Sequence, residues 1–333
     1  ISTTITVWGC AEDQADENGK WLQTMCEKFN TEHTEWDLTF EYGVCSEQDA
    51  GKTVPQDPSN SADVYFFAND QLQTLIDAKA IAKLGGETAD YVKSTNSQAI
   101  VDSVTVDGAV YGVPFTTNTW FMYYDKSVFS EDDIKSLDTM LEKGKVAIPL
   151  NNGFYLASFY LGAGATFFGE EGNEREAGIV LDNDETLAMT NALIDMVQNE
   201  NLVVSSPEDA IAMMREGNVN AYFCGTWQAA QTEEILGDNF GVAPLPSMTV
   251  DGEEVQLKPF TSSKAIGVKS TTAYPQVAIE LAMYLGGYDS QKLHYETRGY
   301  VPCYKGLVND TEIQKDAVVA VDSWTVENIA VPR

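Results

Sequence analysis

The chain has 333 residues, 44% of them hydrophobic and 11% aromatic, and a formal net charge of −31. That length buries a large core and ordinarily divides into two domains, and the apolar content is that of a folded protein rather than a disordered one. The acidity excludes nucleic acid, which needs a basic footprint, and a polybasic contact with anionic lipid. Neutral ligands or cations remain, and solubility at a cell surface or in the medium accounts for the charge itself.

Ile5 to Trp8 reads as a first strand ending at Gly9-Cys10, with the acidic loop Ala11 to Gly19 (AEDQADENG) behind it. The next helix places Trp21, Leu22, Met25, Cys26 and Phe29 on one face, and Asp37 to Tyr42 is a second strand. This β-loop-α-β order requires a parallel pair with a right-handed connection. Ser46 to Ser61, rich in Pro, Gly and Ser, is a loop. It leads to Asp63–Phe67, a β-branched and aromatic run with no polar face, which reads as a buried strand. Three strands with intervening helices make a doubly wound sheet.

After that strand Ala68, Asn69, Asp70 and Gln71 form a polar corner, and Leu72, Leu75 and Ile76 resume at helical spacing. A corner at the carboxyl end of a strand is where open α/β sheets hold ligands. It carries donors and acceptors but no base-and-nucleophile pair, which suits a neutral polar ligand. Capping of the following helix by Asn69 or Asp70 is the structural alternative.

Val104 to Val113 reads as a hairpin turned at Asp107-Gly108. Thr116, Thr117 and Asn118 lie between apolar strands and form either a hinge or a bulge. A second α/β lobe follows. It has a strand at Val146–Ile148, an aromatic helix at Asn151–Ala165, and an amphipathic helix carrying Met189, Ala192, Leu193, Met196 and Val197. Next come a helix at Pro207–Glu216, a strand at Ala221–Cys224 running into Gly225-Thr226-Trp227, and a proline-bounded strand at Gly241–Pro246. Thr272–Leu285 is a last clear helix. No apolar run approaches the length of a membrane span. The chain opens on Ile1 and its first strand without a signal peptide, as a trimmed mature chain would.

Catalytic markers are missing. Five cysteines (Cys10, Cys26, Cys45, Cys224 and Cys303) are widely spaced without a CxxC, so buried free thiols are expected rather than zinc or a redox dithiol. Cys10 and Cys45 both follow strands and could be neighbours. The two histidines, His33 and His294, lie far apart, and HExxH, GxSxG, P-loop and GxGxxG motifs are absent. With 51 carboxylates, no pair singles itself out as a glycosidase acid and base. Asp182-Asn183-Asp184-Glu185 lacks the spacing of a calcium loop and fits a helix N-cap with an acidic first turn. No metal or cofactor is expected.

The positive signal is aromatic. Phe67, Trp120, Tyr155 and Trp227 each adjoin a polar or glycine-rich corner. Sugar rings present apolar C–H faces ringed by hydroxyls, so a sugar site needs aromatic platforms and Asp, Asn, Gln or Arg in the ring plane. Ordinary core packing is the alternative for each ring, with Trp227 the exception.

Several stretches carry a family resemblance: ITVWG, ADVYFFANDQ, YGVPFTTNTWFMYYDKSVF, EGNVNAYFCGTW with FGVAPLP, and KPFTSSKAIGVKST with PQVAIELAMYL. In this order, over almost the whole chain, they resemble the extracellular solute-binding proteins of carbohydrate ABC importers, the maltose and maltodextrin binders above all. The resemblance implies an α/β, two-lobed periplasmic-binding-protein-like fold, each lobe a sheet flanked by helices, with a hinge and an interlobe ligand cleft. The lobes would comprise residues 1–115 with 262–303, and 116–261 with 304–333. The crossings would fall near Phe115–Asn118, Thr261–Lys264 and Val301–Lys305.

Carried over by position, the resemblance makes Trp227 a sugar-stacking ring, Tyr155 a ligand-contacting tyrosine and Asp70 a hydroxyl-binding aspartate. Phe67 stands where the family has tryptophan, Gln71 where it has arginine, and Asn118 where it has glutamate. The first loop, with Glu12 and Asp13, lacks the family's Asp-Lys pair. Trp120, Arg298 and Tyr300 complete the candidate ligand-binding set. The family chain continues past Val331-Pro332-Arg333, so either a shortened chain or a missing subsite is expected. The implied function is capture of α-1,4-glucans such as maltotriose, without bond cleavage, by an extracellular, lipid-anchored or periplasmic monomer serving a membrane permease. Another neutral oligosaccharide, or a glycan-active enzyme, is the alternative.

Overall fold

Apolar alternation along Ser2–Gly9 builds a strand that pairs in parallel with Asp37–Val44, from Ser2 opposite Asp37 to Gly9 opposite Val44. The computed structural model describes residues 1–170, 172 and 174–332. The helix Trp21–Glu32 makes the connection and buries the five residues expected from its periodicity. Val64–Ala68, buried at every position, lies on the other side of the first strand. These elements belong to the first of two compact units, Ile1–Thr117 with Ser262–Ile313.

Its sheet is mixed rather than purely parallel. Phe260–Val268 runs antiparallel to Val64–Ala68, with Lys264 opposite Ala68 and Val268 opposite Val64. The stretch Ser46–Ser61 is not irregular; it winds into short helical turns at Ala50–Thr53, Val54–Gln56 and Pro58–Asn60. Ser46 starts them by donating its hydroxyl to Asp49 at 2.8 Å. The hairpin Thr105–Val106 and Ala109–Val110 turns where expected, with φ of +50° at Asp107 and +76° at Gly108, the primed geometry that matches strand twist.

The first unit extends to Ile313, beyond the expected boundary at 303, and to Thr117 instead of 115. Gln291 is one physical reason. Its Oε1 accepts from the backbone N–H of Cys303 at 2.8 Å and Tyr304 at 3.0 Å, while its Nε2 donates to the Gly286 carbonyl at 2.8 Å. A buried amide with these partners holds the segment before Lys305–Val308 to the helix Tyr288–Arg298.

The second unit comprises Asn118–Thr261 and Gln314–Pro332; the expected end at Arg333 lies outside the described residues. Its strand Trp120–Asp125 lies between Ala221–Gly225 and Phe240–Ala243, antiparallel to both. Val146–Ile148 pairs in parallel with Ala221–Gly225 on one side and Leu202–Val204 on the other. The two-residue period of Trp120–Asp125 splits its side chains between two cores: Trp120, Met122 and Tyr124 enter one, Phe121 and Tyr123 the other. Asn183 and Thr186 form a reciprocal capping box on the helix Asp184–Met196, which confirms the cap reading of that acidic run. All five cysteines are free and buried.

The helix Ala317–Asn328 caps its own N-terminus through Asp316 and packs on Trp120–Asp125 and Phe240–Ala243. It carries one conflict. Asp322 is fully buried, and among the described residues neither carboxylate oxygen has a hydrogen-bond partner. Burial alone pushes its carboxyl well above the ordinary carboxylate value. A folded-state value above the unfolded one gives stability that is complete below the ordinary carboxylate value and is lost as pH rises towards the raised one. Relative to Asp322→Asn, the wild type should therefore lose about 1.4 kcal/mol per pH unit across that window. Urea unfolding of both proteins at several pH values checks this, and a pH-independent difference between them would refute it.

Candidate functional site

The first strand ends at Gly9, and the turn Glu12–Gln14 beyond it is a single 3₁₀ turn with Asp13 buried. Asp13 Oδ1 accepts from Arg298 Nη1 at 2.6 Å and pairs with His294 Nε2 at 2.9 Å. His294 and Arg298 are four residues apart and therefore share one face of the helix Tyr288–Arg298. Burial works to raise the Asp13 carboxyl, but the His294 hydrogen bond and the charges of His294 and Arg298 outweigh it and hold it below the ordinary range. The first loop, which has no lysine beside its aspartate, thus receives its cation from a remote helix.

A pocket of about 170 Å³ opens over this pair. Glu12, Asp13, Arg298 and Tyr300 line it, all four expected from sequence. Cys10, Ser46, Glu47, Phe115, Thr116, Lys264 and His294 line it as well, none of them in the expected ligand-binding set. The i, i+4 spacing of His294 and Arg298 was a legible signal for that helix face; Glu47, in a turn, and Lys264, on the strand Phe260–Val268, had none. Tyr300 is 38% exposed, and its ring is flanked by the Arg298 guanidinium and the Lys264 ammonium, each 5.0 Å from the centroid. Lys264 also approaches Glu47 at 3.9 Å.

Two groups of the pocket, Cys10 and Asp13, are held in states unsuited to bond cleavage. Burial, with the charges of Asp13 and Glu47, pushes the Cys10 thiol up to about 12, far from a reactive thiolate. Asp13 is held below the ordinary carboxylate range with two cationic partners on Oδ1, the opposite of a general acid. What the pocket offers is a dense set of oriented donors and acceptors beside an open ring.

The polar corner at Asn69 is structural in part. Asn69 is buried and accepts from the backbone N–H of Ser263 at 3.1 Å, which joins the corner to Phe260–Val268 instead of capping a helix. Asp70 is exposed on the 3₁₀ turn Asn69–Gln71, and the Gln71 side chain lies over Gly51, where any side chain would collide with it. Phe67 is 0% exposed and packs between Gly112 and Gly267; a Cβ on Gly112 would sit 2.8 Å from its ring. It is core, and the expectation of a sugar platform at Phe67 is corrected.

In the second unit Asn118 is exposed at the end of Val113–Asn118. Trp120 is fully buried among Tyr155, Phe154 and Phe223, with its ring edge-on to Tyr155 at 4.8 Å. It too is core rather than an open platform, and Tyr155 is 6% exposed beside it. Trp227 is the open ring, 48% exposed on the turn after Ala221–Gly225. Its indole lies over Gly225, where a side chain would collide with it, and the Gly225 carbonyl accepts from the Tyr123 hydroxyl at 2.6 Å. Sheet register sets Gly225 opposite Trp120, so these aromatics share one corner of the unit.

Asp13→Asn should leave Arg298 with no anionic partner there and destabilise the first unit by about 2–3 kcal/mol; the cost of breaking a buried pair is reduced because Arg298 keeps some solvent contact. Because the Asp13 value is depressed, its contribution is present above the ordinary carboxylate value and is lost as pH falls through the depressed one. Denaturant unfolding at neutral and acid pH measures both, and an unchanged midpoint at neutral pH would contradict the pairing.

Comparison with known proteins agrees with this architecture. The model of the bacterial extracellular solute-binding protein family matches residues 24–321. The maltotriose-binding protein of Pyrococcus abyssi is 22% identical over 322 residues, 90% of this chain and 66% of its own length, so the chain spans just under two thirds of that relative. A structure solved with acarbose is 47% identical, with a TM-score of 0.81 and coverage of 99% of this chain and 87% of that one. A maltodextrin-binding protein from L. casei BL23, solved without ligand, shares the fold at 24% identity, with a TM-score of 0.89 and coverage of 100% and 88%. With the match running over most of its length, the chain belongs to the bacterial extracellular solute-binding protein family.

Proposed function

We propose that this protein captures neutral oligosaccharides of the α-1,4-glucan type, maltotriose among them, and hands them to the permease of an ABC importer. The observation that carries this reading is the pairing of open rings with polar groups. Tyr300 stands beside Arg298, Lys264 and Glu12, and Trp227 stands open on its own turn. Such rings stack on the C–H faces of sugars while carboxylates and guanidinium groups pair with hydroxyls. A neutral ligand suits a chain of net charge −31, which would repel an anionic one. The similarity to a maltotriose-binding protein and to a structure solved with acarbose supports the choice of glycan.

Capture is reversible and leaves every glycosidic bond intact. Closure of two lobes on the ligand, implied by the family resemblance, belongs to the same reading, since a ligand shifts a conformational equilibrium only by its differential affinity for the two states. An extracellular position, through a lipid anchor or in a periplasm, and action as a monomer complete it.

Tryptophan fluorescence titrated with maltotriose, set beside xylo-, cello- and fructo-oligosaccharides, should saturate with the α-glucan alone. Trp227→Ala should weaken that binding by about tenfold or more, equivalent to about 1.4 kcal/mol, with the fold intact. Unchanged affinity would remove Trp227 from the site. Chromatography of a maltotriose solution incubated with the protein should show no shorter products, and their appearance would favour a glycan-active enzyme.

A further inference from the structure

Away from the pocket beside Tyr300, three ligand-type side chains converge in the first unit. His33 follows the last turn of Trp21–Glu32, Glu35 lies two residues on in the turn before Asp37–Val44, and Glu280 projects from the helix Pro275–Leu285. One ligand atom from each lies within 4.8 Å of the other two, and His33 Nε2 is 3.5 Å from Glu280 Oε2.

The imidazole is fixed in both orientation and tautomer. Its Nδ1 is 2.8 Å from the Phe29 carbonyl oxygen, which only accepts, so Nδ1 carries the proton and donates it. In the neutral ring the Nε2 lone pair then faces the Glu280 carboxylate, with a ligand atom of Glu35 within the same 4.8 Å cluster. Trp36 stacks on the ring at 5.2 Å with planes 8° apart, and Phe29 packs against it at 4.1 Å. A histidine with one nitrogen held by a backbone carbonyl and the other presented to carboxylates is the arrangement that orients imidazole for a metal ion. An ion pair with protonated His33 would satisfy Glu280 through its single remaining N–H. It leaves the second carboxylate, Glu35, drawn close to the first without a cation between them. A divalent cation satisfies all three groups.

We propose that His33, Glu35 and Glu280 form a binding site for one divalent transition-metal cation, with Zn²⁺ the best-matched probe. One nitrogen and two carboxylate oxygens suit Zn²⁺ and leave coordination positions for water. A groove of about 660 Å³ bordered by His33 and Glu280 provides the approach. The ion would join the end of one helix, the following turn and a helix more than 200 residues later in the chain, and so would stabilise the first unit.

The chain has only two histidines, which makes the test specific. In a ¹⁵N-histidine spectrum one equivalent of Zn²⁺ should shift the Nε2 resonance of His33 and leave His294 in place. Calorimetric titration should give one site, weakened by about tenfold or more in Glu280→Gln and in Glu35→Gln. Both positions reach solvent, so the variants should keep the wild-type circular dichroism spectrum. Equal Zn²⁺ affinity in wild type and both variants would assign the binding to other carboxylates and overturn the proposal. So would a His33 resonance unmoved at saturating Zn²⁺. Neither readout depends on sugar binding.

Discussion

The candidate pocket of the first unit depends on one buried charge. Asp13 sits on the turn after the first strand, and burial works to raise its carboxyl; His294 and Arg298, reaching it from one helix face, hold it below the ordinary range instead. Those two contacts fix the loop after the strand to helix residues 281 and 285 positions away. They also set the guanidinium beside Tyr300, so the ring that could carry a sugar is positioned by the same pair that stabilises the loop. Structure and site share a single electrostatic constraint here.

The second unit solves its problem with packing. Trp120–Asp125 is apolar at successive positions, which suits a strand buried on both faces, and its alternation feeds two separate cores. Trp227 stays outside both. It lies over Gly225, which leaves the space for it, on a turn whose carbonyl is held by Tyr123. Aromatic residues clustered in sequence therefore divide into core and surface according to where the strand ends. Asp322 is an exception to the apolar rule in this unit, a buried carboxyl with no hydrogen-bond partner among the described residues. It is tolerated in its neutral form, at a cost that grows with pH.

Much of this was legible locally. The buried face of Trp21–Glu32, the Asp107-Gly108 turn and the cap at Asn183 follow from periodicity and turn chemistry, which act over a few residues. Four pocket residues, Glu12, Asp13, Arg298 and Tyr300, were also within reach, and Trp227 stood out as an open ring. For Phe67 and Trp120 the sequence left core and open platform both standing. An aromatic side chain beside a polar corner looks the same whether its neighbours cover it or not, and Gly112 and Gly267, which make room for Phe67, are distant in the chain.

The sequence by itself determined the α/β class, the main strands and helices and the exclusion of polyanionic partners, because charge and short-range periodicity are properties of the chain alone. The tertiary structure decided which rings remain open, which cation serves Asp13, and how His33 meets Glu35 and Glu280. Each depends on side chains brought together by folding from distant segments. Burial and partnership are set by that convergence, and no local pattern encodes it.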